Sequence, residues 1–437
     1  MYHSTMNKNL LKTVVEENRS GQKVGLYSAC SANELVIRAV IRHAALNKYP
    51  VIIESTSNQV NQMGGYTGLQ PHEFSRQVKN IAAEENLPPS NLILGGDHLG
   101  PLPWLGEAEE KAMENAAFLV SSYVLAGYSK IHLDTSMKLA DDPPGPLEVR
   151  TCARRAVKLA KVVYESFSTL KNQSPSQDQL IRPTLVIGSE VPIPGGSQTH
   201  EDGVIPTEPQ DFLKQVSVFK DEFEKAGLDF NDVAAFVVQP GVEFGDDFVC
   251  FYDPEKATAL TKALKTVNAL VFEGHSTDYQ GPENLSNMVR DGIAFLKVGP
   301  ALTFALREGL LLCEAVEEIL NPPGSRSNFK KVLLEEMNQS RKHWEKYYFG
   351  SDKEIEYKKL FSYSDRCRYY FPEKKVNAAI EVLLKNIQAV PPALISQFFP
   401  GQYRKYMAGK LKNDPVSLLC DRVGEICDDY AFSCGYQ

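Results

Sequence analysis

The chain has 437 residues, 43% of them hydrophobic and 23% charged, with a formal net charge of −8. That length is enough for a large α/β core, and the acidic balance without a basic stripe excludes a nucleic-acid-binding surface. The polar first 20 residues and the absence of a long apolar run exclude a secretory leader and a membrane span, so a cytoplasmic protein is expected.

Eight apolar runs, each closing on polar or small residues, follow one another along the chain: 23–30, 50–58, 92–98, 130–136, 183–190, 234–240, 269–276 and 294–300. Stretches of helical periodicity lie between them, at 32–47, 72–86, 107–126 and 148–170, and another follows the last run over 301–320. Strands alternating with helices imply right-handed βαβ units and a parallel sheet. No G-x-G-x-x-G follows the first run, which excludes a Rossmann sheet and leaves a TIM (β/α)8 barrel over residues 1–320. A loop, PPGSRSN (322–328), then opens an appended C-terminal helical segment, 321–437, expected to pack on the barrel with helices over 329–348, 372–389 and 415–430. Eight scattered cysteines without a C-x-x-C pair suit neither a zinc knuckle nor a disulfide framework. Cys420, Cys427 and Cys434, seven residues apart, read as one buried helix face.

In a TIM barrel the carboxyl ends of all strands face one mouth. Here they carry Glu54, Asp97, His98, Asp134, Glu190, Gln239, His275 and Lys297, with Glu243 just beyond the sixth strand. Imidazoles, carboxylates and an amide oxygen make a mixed N/O set, and crowded carboxylates need a cation, so a divalent metal ion is expected, with His98 and His275 the firmest ligands. His132 lies two residues before Asp134 and points the same way but deeper, which suits a core or supporting role. His43, His72, His200 and His343 read as surface residues. Phosphate is expected at the loops after strands seven and eight, on Ser276, Thr277, Asp278, Lys297 and Gly299, where Gly299-Pro300 opens a helix. Arg366 and Arg368, set among aromatics, suit either phosphate or carboxylate partners.

The strings SNQVNQMGGYTG (57–68), GGDHLGP (95–101), KIHLDTSM (130–137), VVQPGVEF (237–244), HSTDYQ (275–280), LKVGPALTFALRE (296–308) and YSDRCRYYFP (363–372) closely resemble the Z-subunit family of tagatose-1,6-bisphosphate aldolase, GatZ/KbaZ, nearly end to end. The resemblance implies a TIM barrel and three candidate activities: a non-catalytic subunit that stabilises and activates a separate class II aldolase, a tagatose-6-phosphate kinase, or a C4 epimerase of fructose and tagatose or their 6-phosphates. Neither a P-loop nor a kinase Gly-rich loop is present, so the kinase reading is the weakest. A more distant resemblance to class II aldolases aligns Asp97-His98 with a proton-transfer Asp and first ligand, and His275-Ser276 with a last ligand and its phosphate loop. Where those enzymes carry a middle histidine after the sixth strand, this chain has Gln239-Pro240-Gly241-Val242-Glu243, so a three-histidine zinc site is excluded and Gln239, Glu190 or Glu243 must complete the set.

Epimerising C4 of a 2-ketose by deprotonation fails, because that hydrogen is not α to the carbonyl. Retro-aldol opening of C3–C4 and re-addition to the other aldehyde face succeeds with a metal and an acid/base. The expected site therefore has His98, Glu190, Gln239 and His275 on a Zn, Mn, Ni or Mg ion, and Asp97 transferring the proton with Asp134 or Glu54 assisting. The expected partners are a ketose or ketose phosphate, a class II aldolase catalytic subunit if the role is accessory, and further copies of the chain in a homo-oligomer.

Overall fold

A computed structural model describes residues 9–173, 180–189 and 204–436. Eight parallel strands close into a barrel: Leu26–Cys30, Val51–Thr56, Leu92–Leu99, Lys130–Asp134, Thr184–Gly188, Val233–Val238, Val271–Gly274 and Ile293–Val298. The eighth closes on the first, with Leu26 beside Phe295 and Ser28 beside Lys297. The expected TIM barrel is the observed fold.

Alternation along each strand divides its side chains between two cores. Tyr27, Ile53, Leu94, Ile131, Leu185, Phe236, Phe272 and Leu296 face outward under the helices. Leu26, Ile52, Ile93, Val186, Ala235, Val237, Val271 and Phe295 form a second cluster with Leu11, Val14 and Val15 of the helix Leu10–Arg19. That helix starts where the Asn9 side chain accepts from the backbone of Leu11 and Lys12, and its apolar face plugs the amino-terminal end of the barrel. Polar groups inside the barrel therefore lie toward the opposite, carboxyl end.

The C-terminal helix Pro415–Ser433 packs on the barrel helices Glu34–Asn47, Gly281–Arg290 and Pro300–Leu320. Cys420, Cys427 and Cys434 are buried along it, and the Tyr430 hydroxyl donates to the Thr277 carbonyl at 2.7 Å. The helix expected over 329–348 stops at Gln339, because Ser340 turns extended and its carbonyl accepts from the Tyr370 hydroxyl; a 3-10 turn, Arg341–His343, follows. Among the described residues no helix is long and apolar enough to cross a membrane.

Candidate active site

Above the apolar plug lies a layer of buried ions. The alternation of Lys-Ile-His-Leu-Asp on the fourth strand turns Lys130, His132 and Asp134 inward at successive heights. The Lys130 ammonium lies 2.5 Å from Glu54 Oε1 and 2.5 Å from Glu273 Oε2. Lys297 approaches from the eighth strand, 2.7 Å from Glu54 Oε2, 3.8 Å from Glu273 Oε1 and in direct contact with Asp97. Burial opposes charge on Asp97, Glu273 and Lys297, yet Asp97 and Glu273 titrate well below the usual carboxylate range and Lys297 well above the usual ammonium range, because opposite charges surround them.

The third strand explains how two adjacent residues reach one cavity. Its pairing with the fourth runs Gly96 to Ile131 and then Leu99 to Leu133, so the third strand carries one extra residue, and His98 adopts φ 49°, in the left-handed region. A regular strand sends neighbouring side chains to opposite faces, whereas this bulge sends both Asp97 and His98 inward.

Three imidazoles meet at the top of the barrel. The His98, His132 and His275 rings lie 5.1, 5.1 and 5.2 Å apart, pair by pair. Each is backed by its own carboxylate through one ring nitrogen: His98 Nδ1 by Asp134 at 2.7 Å, His132 Nδ1 by Asp97 at 2.7 Å, and His275 Nε2 by Glu273 at 3.1 Å. A carboxylate on one ring nitrogen is the usual way of fixing a metal-binding imidazole's tautomer. The remaining nitrogen of His132, Nε2, is buried with no hydrogen-bond partner among the described residues. Burial and the Lys297 charge push His275 down to about 3, so it is neutral and able to donate a lone pair. Ligand atoms of Asp97, His132, Glu273 and His275 all lie within 4.8 Å of one another, and the His98 ring adjoins that set without belonging to it, its centre 5.1 Å from those of His132 and His275. With the imidazoles neutral, as ligands are, four inward carboxylates (Asp97, Asp134, Glu54, Glu273) face two lysines (Lys130, Lys297), leaving two negative charges for a divalent cation to balance; without an ion, burial opposes charge on His98 but Asp97 and Asp134 raise it above its ordinary value. The residues fit a metal ion.

This ligand arrangement differs from the expected one. A third imidazole, His132 of the fourth strand, joins His98 and His275 here, where the sequence pattern pointed only to a position after the sixth strand. Gln239 turns its amide oxygen to the backbone N–H groups of Gly241 and Val242, at 2.9 and 3.0 Å, within its own loop. Glu190 lies outside the described residues. Glu54 is fully buried with both oxygens on lysines, and Asp134 is held by His98 and by Ser136, whose N–H and hydroxyl donate at 3.0 and 2.6 Å. Neither carboxylate lines the cavity above the imidazoles.

Above the imidazoles opens a cavity of about 440 Å³, within the range of small-molecule sites. Asp97, His98, His275, Ser276, Lys297 and Gly299 form its floor. The C-terminal segment forms a wall through His343, Tyr347, Arg366, Arg368 and Tyr369. His343, expected on the surface, stacks on Tyr369 with ring centres 4.8 Å apart. Arg366 lies 3.6 Å from the Tyr347 ring centre and 4.5 Å from that of Tyr369, and the Arg368 guanidinium donates to the Tyr369 hydroxyl at 3.1 Å. Burial raises the Tyr369 phenol, but the two guanidinium charges outweigh it and hold the group below its ordinary value.

The phosphate cradle expected at the eighth loop is already filled. One carboxylate oxygen of Asp278 accepts from the backbone N–H of Gly299 at 3.0 Å and of Ala301 at 2.8 Å, at the start of the helix Pro300–Leu320. An internal anion on those amides repels a second one, so Asp278 is a helix cap and not a phosphate ligand. Thr277 is buried, its hydroxyl donating to the Lys297 carbonyl at 2.7 Å. Of the expected anion-binding groups, Ser276, Lys297, Arg366 and Arg368 face the cavity with their side chains free of that cap.

A family model described as D-tagatose-1,6-bisphosphate aldolase subunit GatZ/KbaZ-like matches residues 11–435. The chain belongs to the GatZ/KbaZ-like family. A crystal structure of a probable tagatose 6 phosphate kinase from Sinorhizobium meliloti 1021 is similar to this GatZ/KbaZ-like chain at 40% identity and a TM-score of 0.84, covering 94% of this chain and 100% of its own. The YdjI aldolase from Escherichia coli K12 shares 13% identity at a TM-score of 0.41, over 85% of this chain and 96% of its own. A fructose-bisphosphate aldolase from Campylobacter jejuni shares 15% at 0.42, over 89% and 93%. Those two likenesses are too low to weigh on function.

Proposed function

We propose that this GatZ/KbaZ-like chain is a metal-dependent C4 epimerase that interconverts fructose and tagatose or their 6-phosphates by retro-aldol cleavage and re-addition. The observation that carries the reading is the trio of carboxylate-backed imidazoles, with His98 and His275 lining an open cavity and His132 buried beside them. In this proposal the three imidazoles hold a divalent ion, with Asp134, Asp97 and Glu273 fixing their tautomers. Such an ion supplies Lewis acidity, polarising the C2 carbonyl and acidifying the hydroxyls beside it.

The chain's own groups do the rest. Asp97, ionised and lining the cavity, takes the C4 hydroxyl proton. The C3–C4 bond then breaks, its electron pair passing to the C2–C3 enediolate and leaving C4 as an aldehyde. Rotation of the aldehyde presents its other face, C3–C4 re-forms, and Asp97 returns the proton to the C4 oxygen. Lys297, beside Asp97, stabilises the negative charge that develops on the substrate oxygens. Arg366, Arg368 and Ser276 bind the 6-phosphate of a phosphorylated substrate.

The test is direct: the purified chain is incubated with fructose and with fructose 6-phosphate in Mg, Mn, Ni or Zn, and tagatose products are sought. Product supports the epimerase. The family's description as an aldolase subunit favours a second reading, a non-catalytic partner of a class II aldolase. Absence of product with every metal, together with activation of a separate aldolase catalytic subunit, would establish that reading instead.

A further inference from the structure

Two cation-shaped sets adjoin inside the barrel and share Asp97. One is Asp97, His132, Glu273 and His275; the other is Cys30, Glu54 and Asp97, from the ends of the first three strands. Carboxylates shared in this way are how a protein holds two ions a few ångströms apart. In the second set, however, the place of an ion is taken by the Lys297 ammonium. It lies 2.7 Å from Glu54 Oε2, touches Asp97 Oδ1, and lies 3.8 Å from Glu273 Oε1, so it meets carboxylates from three different strands. Cys30 Sγ, the third member of the set, donates to Asp97 Oδ2 at 3.6 Å. From below, Lys130 holds the other oxygens of Glu54 and Glu273, each at 2.5 Å, and so fixes which oxygens point up at Lys297.

We propose that Lys297 is a built-in substitute for a second metal ion, so that the site takes one divalent cation at the imidazoles and a permanent ammonium at Cys30, Glu54 and Asp97. The consequence is chemical. A metal ion in the second position could be stripped by a chelator or exchanged for another metal, whereas an ammonium carried on the eighth strand is always present and is never a Lewis acid. It offers hydrogen-bond donors to a substrate oxygen in the cavity and leaves carbonyl polarisation to the single ion. An ammonium and a divalent ion also exclude each other: both are positive and both need the same oxygens of Glu54 and Asp97. Replacing the lysine by a neutral side chain therefore frees two carboxylates and the Cys30 thiol, which releases its proton to solvent as an ion binds and then makes a set chemically suited to zinc or cobalt.

The inference rests on the proposed metal-holding role of the imidazoles, and its test separates the two. Full-length wild type, Lys297→Met, Lys297→Gln and Lys297→Arg are loaded with Co²⁺, freed of excess ion by gel filtration and analysed for metal per chain. The Met and Gln variants are expected to carry one more ion than wild type, and the Arg variant, which keeps the charge, no more. The extra Co²⁺ should bring a near-ultraviolet thiolate-to-metal absorption that disappears when Cys30→Ser is added. The Met change leaves carboxylates unpaired, so the Gln variant, which keeps a donor toward them, guards against failure to fold; added Co²⁺ should raise the melting temperature of both more than that of wild type. Equal metal content in wild type and a folded neutral variant, or an extra ion whose absorption survives Cys30→Ser, overturns the proposal. A wild type without any ion instead refutes the imidazole site, while the difference between wild type and variant still decides the role of Lys297.

Discussion

Asp134→Asn separates orientation of a ligand from ligation itself. The two carboxylate oxygens of Asp134 have different duties: Oδ1 accepts from the Ser136 N–H at 3.0 Å and from its hydroxyl at 2.6 Å, while Oδ2 accepts from His98 Nδ1 at 2.7 Å. Asparagine has only one acceptor oxygen. If it stays on Ser136, the amide NH2 faces His98 Nδ1, which must then accept, and the imidazole proton moves to Nε2, the nitrogen that would bind metal. If it turns to His98, two donors of half-buried Ser136 lose their partner. Loss of a carboxylate behind a metal-binding imidazole costs about 10–100-fold in affinity, or about 1.4–2.8 kcal/mol. Metal affinity, measured by competition with a chromophoric chelator, should fall by that factor, and nitrogen-detected imidazole spectra should show His98 in the Nε2–H tautomer. Unchanged affinity, within about threefold, with His98 in the Nε2–H tautomer would refute the reasoning, whereas unchanged affinity with the Nδ1–H tautomer and a lower denaturation midpoint would show that the oxygen has turned to His98 and left Ser136 without its acceptor.

The C-terminal wall, the buried cap and the anchor of the wall give further expectations. Arg368→Met should raise KM for fructose 6-phosphate by tenfold or more, on the order of one charge-assisted bond, and leave KM for free fructose unchanged in steady-state assays; equal effects on both sugars would remove the arginine from phosphate recognition. Asp278, raised by burial to about 6 from an ordinary value of 3.8, favours folding when protonated. Its contribution is complete below the unfolded pKa and is lost as pH rises toward 6, a swing of about 3 kcal/mol at most. Asp278→Asn should therefore flatten the decline of urea-denaturation stability between pH 4 and 6 relative to wild type. Asp365 accepts from Arg307 Nε at 2.9 Å and from the Thr303 hydroxyl at 2.7 Å, tying the turn that carries Arg366 and Arg368 to the helix Pro300–Leu320. Asp365→Ala strands a buried guanidinium and should cost about 3–5 kcal/mol in denaturant unfolding, with the phosphorylated substrate's KM rising alongside; an effect below about 1 kcal/mol would show that the turn is held by other contacts.

The barrel was legible because eight strand-like apolar runs are interleaved with helical stretches, and each apolar run lies on or beside an observed strand. Asp97, His98 and His275 were legible as strand-end polar residues. Their depth was not. Whether His132 supports the site or belongs to it depends on the bulge at Asp97-His98, which lowers the third strand's end toward the fourth strand and leaves no mark in residue type. Glu273 and Lys130 could have been found by stepping two residues back from His275 and His132 along the same strand face. The wall of His343, Tyr347 and Tyr369 could not, since it depends on how a segment distant in sequence folds over the mouth. Gly299-Pro300 read as an anion site for a sound reason, the bare amides of a helix start, and the anion proves to be the chain's own Asp278.

The claim on which the rest depends is that His98, His132 and His275 together hold one divalent ion. A crystal of the full chain grown with Mn²⁺ or Zn²⁺, with anomalous data collected on either side of the metal's absorption edge, tests it without recourse to activity. The account predicts one anomalous peak between the three imidazoles, about 2.0–2.2 Å from a nitrogen of each, with Asp134 still on His98 Nδ1. A peak at Cys30 and Glu54 instead, or none within reach of His132, would contradict it.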